Sequence, residues 1–156
     1  MRVLVIGSGG REHAICWRLA RSPRVSGVLC APGNPGTAAC GTNLAGVAAD
    51  DLDGIVAAAA DHGADLTVVG PEAPLCAGIR ERFERRGLRV VGPSARAARL
   101  EGSKAFAKEF MARRGIPSAP FGVFDDIGAA ERYIDAHPEA LVVKADGLAA
   151  GKGVFV

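Results

Sequence analysis

The chain has 156 residues, 49% of them hydrophobic, with 19 basic and 17 acidic side chains and a net charge of +2. That length and apolar content support one well-buried domain and the start of a second, while a charge so near balance, with no basic stripe, argues against a nucleic-acid or polyanion binder. No charged leader precedes an apolar run and no apolar run reaches the length of a bilayer span, so a cytoplasmic protein without membrane contact is expected.

Taken in chain order, Val3 to Ile6 reads as a buried strand that enters Gly7-Ser8-Gly9-Gly10, and Arg11 to Arg21 as a helix stopped by Ser22-Pro23. Gly27 to Ala31 is a second strand. Pro32 to Gly36 is too rich in proline and glycine to continue it or to start a helix, so it is expected to be a loop. Leu44 to Ala48 reads as a third strand. In DDLDGIVAAAADHG, the residues Leu52, Ile55, Val56, Ala59 and Ala60 share one helical face, with acids at the N-terminal end where the dipole favours them. Leu66 to Val69 is a strand ending in Gly70-Pro71-Glu72. A helix is expected to follow to about Arg86, with Gly87 as its stop, and then a strand from Leu88 to Val91. Arginines 80 to 86 are interleaved with Glu81 and Glu84 and read as a solvated helix face.

Strands alternating with helices across short turns imply parallel βαβ units with right-handed crossovers. Residues 1 to about 93 are therefore expected to form an open doubly wound α/β domain. Its ligands should lie at the carboxyl ends of the strands, where the three glycine-bearing turns gather. Beyond that point come helices over Ala95 to Leu100 and Ser103 to Arg114 and a strand over Phe121 to Phe124. A helix carrying Ile127, Ala130 and Ile134 on one face leads to a strand from Ala140 to Lys144 and the loop DGLAAGKG. Val154 to Val156 looks like the start of a strand with no partner to pair with, which suggests a truncated chain. The four cysteines, at 16, 30, 40 and 76, lack the spacing of a zinc or redox motif and are expected to be reduced core residues.

The first loop departs from the dinucleotide fingerprint. Its frame is Gly7-x-Gly9-x-x-Glu12, with a glutamate for the third glycine, and the second strand ends without an acid. Both departures count against a nicotinamide cofactor. Backbone N–H groups at a helix N-terminus still suit an anion, and Arg11 adds charge where a phosphomonoester would sit. A tight turn without a ligand is the alternative. Asn34 and Glu72 stand on loops at the same edge, where a carboxylate could accept hydrogen bonds from sugar hydroxyls or an amine; the alternative for Glu72 is a helix-capping acid.

The second loop fails as a Walker motif. Gly147-x-x-x-Gly151-Lys152 is one residue short, and Gly153 stands where Ser or Thr should bind magnesium. A glycine loop of this kind can close over phosphates as a lid with one mobile charge. Lys144 ends an apolar strand, where burial is costly without an anion, and Lys104 opposes the dipole in a first helical turn. Each could also be a solvated surface charge. The chain nevertheless has only four lysines against fifteen arginines, and three of the four fall at these spots.

Together VLVIGSGGREHA, APGNPGTA, DLTVVGPEAPL, EGSKAFAKEFMARRGIP and VVKADGLAAGKGV, in this order and from end to end, resemble the phosphoribosylamine–glycine ligase family of the ATP-grasp superfamily. The resemblance implies a pre-ATP-grasp domain over residues 1–102 and the start of an ATP-grasp domain over 103–156. It implies that ATP activates the glycine carboxylate for attack by 5-phosphoribosylamine, giving glycinamide ribonucleotide, ADP and phosphate. By the same resemblance Gly9, Gly10 and Arg11 would hold the phosphate of phosphoribosylamine, and Asn34, Pro71 and Glu72 would line the sugar and amine. Lys104 and Lys144 would reach the ATP phosphates, and Gly151, Lys152 and Gly153 would form the lid. The family's enzymes run well past Val156, so the Mg2+ or Mn2+ ligands and the glycine site are expected beyond this C-terminus. The chain alone is expected to be an inactive, monomeric fragment whose partners are small molecules. The competing readings are a non-catalytic phosphosugar-binding module and a nicotinamide-dependent oxidoreductase.

Overall fold

The structure is a computed structural model that describes residues 1–137, 141–149 and 152–156. The chain divides into two compact units, Met1–Ala98 and Arg99–Val156.

In the first unit β1 (Arg2–Gly7), β2 (Gly27–Pro32), β3 (Thr42–Asn43), β4 (Leu66–Val69) and β5 (Val90–Val91) form one sheet in the order β3-β2-β1-β4-β5. All neighbours are parallel, with Val3 opposite Val28 and Leu66. Val3 to Ile6 are essentially inaccessible because β1 is central and alternates its side chains between two covered faces. Leu4 and Ile6, with Leu29 and Ala31, pack against Ile55, Val56 and Ala59 of α3 (Leu52–Asp61) and Ile79 and Phe83 of α5 (Ile79–Arg85). Val5, Val28 and Cys30 face the other way, onto Cys16 of α1 (Gly10–Ala20). Each large buried side chain contributes roughly 1.5–3 kcal/mol over exposure.

Several sequence expectations shift. Pro32 to Gly36 is not all loop. β2 runs through Pro32, and α2 (Pro35–Ala38) starts inside the run, because Asn34 caps it and Pro35 sits in the first turn, where a missing N–H costs nothing. Leu44 to Ala48 is not a strand. The ladder stops at Asn43, and Val47 N–H turns back to Leu44 O at 3.0 Å while both side chains still pack on the core. The apolar run therefore signals burial without extension. In α3 it is Ala58 that is buried and Ala60 that is exposed. The long helix after Gly70 is two, α4 (Glu72–Cys76) and α5, broken at Gly78, whose φ of +84° is left-handed. Gly87 follows α5 as expected (φ +66°), and Leu88 N–H closes on Phe83 O, leaving β5 only two residues.

α6 (Ala95–Gly102) begins in the first unit and ends in the second, where α7 (Lys104–Arg114) and α8 (Ile127–Asp135) follow. Phe121 to Phe124 is not a strand. It has no ladder partner among the described residues, and Phe124 instead tilts against Tyr133 at 5.1 Å between ring centroids. The apolar face of α8 is open, with Ile127 77% exposed. β6 (Val143–Lys144) is shorter than expected; Ala140 lies outside the described residues. The last strand is not unpaired. β7 (Val154–Phe155) runs antiparallel to β6, with Lys144 opposite Val154.

Candidate functional site

The chain leaves β1 towards β2 and β3 on one side and returns to β4 and β5 on the other, so the carboxyl ends of β1 and β4 flank a topological switch point. Gly7 turns the chain out of β1 with a φ of +124° that other residues resist. Gly9 is the N-cap of α1, and its N–H donates to Oε2 of Glu12 at 2.7 Å. Glu12 is only 4% exposed. A carboxylate so buried needs partners, and Nε of Arg11 supplies the second, donating to Oε1 at 2.8 Å. That bond raises the Arg11 pKa above its already high value and fixes its charge. The Arg11 side chain stays 59% exposed, with Nη2 3.8 Å from Oε2 of Glu72.

Asn34 closes the second turn. Its Nδ2 donates to the carbonyls of Ser8 (2.8 Å) and Gly9 (3.3 Å), and its Oδ1 accepts from Thr37 N–H at 3.0 Å. The buried Thr37 hydroxyl and Asn43 complete the network around the Asn34 carbonyl. The side chain expected on the sugar side thus ties the β1–α1 turn to the β2–α2 turn. Pro71 is the extended N-cap of α4, and Glu72 opens that helix, where its charge agrees with the dipole. The groups left open at this edge are the first-turn amides of Gly10 and Arg11, which have no partner inside the helix, the Arg11 guanidinium and the Glu72 carboxylate. The space beside Gly10 is clear to 4 Å.

In the second unit Ser103 caps α7, its Oγ accepting from Phe106 N–H at 3.1 Å. Asp146 reinforces that helix end. Its carboxylate accepts from Ala105 N–H (3.2 Å) and from the Ser103 hydroxyl (3.0 Å), and the backbone bond to Ala105 leads in holding its pKa below the usual carboxylate range. Lys104 Nζ donates to Gly147 O at 2.8 Å, so its charge is met by the glycine loop itself. Lys144 on β6 is exposed, which removes the cost of burial inferred from its apolar neighbours. Lys152 N–H donates to Ala149 O and Ala145 N–H to Gly153 O, both at 2.8 Å. Gly151 lies outside the described residues.

Two residues escaped sequence reasoning as site builders, Glu12 and Asp146. The signal for Glu12 was present: an acid at the third helical position after a glycine N-cap marks a carboxylate that folds back on the cap. Among the described residues no group of three or more His, Cys, Asp or Glu side chains is placed to hold a metal ion. No helix among them is long and apolar enough to cross a membrane.

Comparison with known proteins bears on both units. The family model for the phosphoribosylglycinamide synthetase N domain matches residues 1–101, and the model for the ATP-grasp (A) domain of the same synthetase matches 102–156. The chain is 58% identical over its whole length to a phosphoribosylamine–glycine ligase of Xanthomonas campestris pv. campestris and 53% identical to that of Ralstonia nicotianae. It spans 36% and 37% of those two proteins. Among solved structures, the phosphoribosylamine–glycine ligase of Thermotoga maritima superposes with a TM-score of 0.75 at 35% identity, over 99% of this chain and 35% of that one. The biotin carboxylase domain of Hydrogenobacter thermophilus 2-oxoglutarate carboxylase gives 0.78 at 21% identity, covering 99% and 36%, a likeness of fold.

Proposed function

The chain belongs to the phosphoribosylglycinamide synthetase family, and we propose that it supplies the phosphoribosylamine-holding part and the first part of the ATP-holding domain of a ligase that joins glycine to 5-phosphoribosylamine. Residues 1–102 would be the pre-ATP-grasp domain and 103–156 the opening of the ATP-grasp domain. The observation that carries this reading is the sheet edge at the switch point, where open first-turn amides, one fixed guanidinium and one exposed carboxylate converge.

In this scheme an oxygen of the glycine carboxylate takes the γ-phosphoryl group of ATP, and ADP leaves. The amine nitrogen of 5-phosphoribosylamine attacks the acyl carbon, phosphate departs and the nitrogen loses a proton. Activation is needed because a carboxylate is inert to amines until its oxygen becomes a leaving group. Magnesium or manganese, implied by the family's use of ATP, would screen the β- and γ-phosphates. Within this chain, Gly10 and Arg11 offer the donors for the substrate phosphate, while Gly9 shapes the turn and its own N–H is committed to Glu12. Asn34 holds the neighbouring turn in place, and Pro71 and Glu72 border the sugar and amine. Lys104, Lys144, Gly151, Lys152 and Gly153 are assigned to the ATP phosphates. A cytoplasmic monomer that binds small molecules and no nucleic acid completes the proposal.

Titration of the chain with ribose 5-phosphate, a stable counterpart of the substrate, tests the first site. Arg11→Ala should weaken binding about tenfold, the scale of one charge-assisted contact. Equal binding by the variant would move the phosphate elsewhere. In a chain extended to the relatives' full length, Lys144→Ala should abolish ATP binding, and undiminished affinity would remove Lys144 from the site.

A further inference from the structure

Glu12 occupies the position that the dinucleotide fingerprint reserves for its third glycine, in the first turn of α1. Its side chain fills the switch point. A Cβ on Gly7 would stand 2.7 Å from Glu12 Cγ, one on Gly9 2.9 Å from Oε2, and one on Gly70 2.7 Å from Cδ. The glycines of the β1 and β4 turns are therefore small to admit a side chain of this same protein. In a dinucleotide site they would be small to admit a pyrophosphate. The carboxylate also consumes the Gly9 N–H, and it holds Arg11 by Nε, while Nη2 of the same guanidinium stands 3.8 Å from Oε2 of Glu72 on the open side.

We infer that Glu12 is the specificity-determining and positioning residue of this crevice: it fills the pyrophosphate subsite from within, restricts the loop to a phosphomonoester and presents Arg11 to that phosphate. The inference rests on the proposed phosphate site at this edge. Glu12 does not touch the ligand in this scheme. It acts through the shape of the turn and through Arg11. The Glu12 side chain fills the inner side of the turn, and the side of Gly10 and Arg11 keeps the amides and guanidinium that favour an anion.

The test needs no variant for its first arm. In amide NMR of the wild-type chain titrated with ribose 5-phosphate, the Gly10 and Arg11 amides should shift while Gly9, bonded to Glu12, stays in place. A Gly9 amide that moves most would show that phosphate displaces Glu12 and would overturn the inference. The second arm is a double-mutant cycle in ribose 5-phosphate affinity. Glu12→Ala, which removes the acceptor for Arg11 Nε, should weaken binding about tenfold by releasing Arg11, and Arg11→Ala should add almost nothing in that background. Additive losses, or a Glu12→Ala chain that binds like wild type, would refute the positioning role. If wild type and every variant ignore ribose 5-phosphate, the phosphate site fails, and the inference with it. If wild type binds and the cycle is additive, only the inference fails.

Discussion

The ammonium of Lys104 donates to the carbonyl of Gly147, 43 residues further on, at 2.8 Å. One residue away from each partner, Asp146 accepts from the backbone and side-chain donors that open α7. The glycine loop is thus fastened to a helix terminus by two adjacent contacts of opposite polarity. Removing the carboxylate should loosen it. Asp146→Ala is expected to speed tryptic cleavage after Lys152 severalfold, while Asp146→Asn, which keeps an acceptor, should cleave more nearly like the parent. Equal rates in all three chains would show that the tether does not restrain the loop.

The same tether has a direction in pH. The folded-state pKa of Asp146 is depressed, so its contribution is present above the ordinary carboxylate range and fades as pH falls through the folded value. Protection of the Ala105 amide against hydrogen exchange, corrected for intrinsic rates, should therefore drop on acidification below that range. A profile flat through the carboxylate range would contradict the assignment.

Asn34→Ala should destabilise the first unit by about 1–3 kcal/mol, since it removes a helix cap and the bonds to Ser8 and Gly9 together. Asn34→Asp keeps the cap acceptor and loses the donor, so it should fall between the two in thermal melting. An aspartate variant as unstable as the alanine one would mean that the cap contributes little.

Thiol chemistry should separate the four cysteines. Cys16 and Cys30 are buried, and hydrogen bonding to Cys30 together with burial pushes the Cys16 thiol up. Cys40 and Cys76 are partly exposed. Under native conditions iodoacetamide should modify Cys40 and Cys76 first, read by peptide mass spectrometry, and Cys16 only on unfolding. Early alkylation of Cys16 would contradict the packing of α1 on the sheet.

Phe83 is fully buried between α5 and the sheet, and Phe83→Ala should cost about 3–5 kcal/mol in chemical denaturation. A loss below 1 kcal/mol would place that ring outside the core.

β1, β2, β4 and β5 were legible because they are apolar runs closed by glycine, a signature that burial in a parallel sheet leaves, whereas β3, only Thr42–Asn43, carries no such run. Segments whose apolar residues serve a turn were not. Leu44 and Val47 pack on the core from a turn, and Phe121 to Phe124 has strand composition without a ladder partner among the described residues. Gly78 splits a helix through its backbone sign, which a helical pattern read over whole turns passes across. At the site, the loops and their polar residues could be read from the sequence. Their partners could not, since Asn34 meets Ser8 and Lys104 meets Gly147 only through the fold.

The packing of Glu12 against three glycines makes their freedom to vary conditional on one another. While position 12 carries a long acid, an added methyl at 70 collides with its stem, and one at 9 meets the carboxylate oxygen that the Gly9 N–H holds. Shortening residue 12 would release both positions at once. Gly7 would remain fixed even then, because its φ of +124° bars a side chain whatever the room. Drift at this edge is therefore ordered: position 12 must change before 70 can follow, and position 7 waits on a change of backbone.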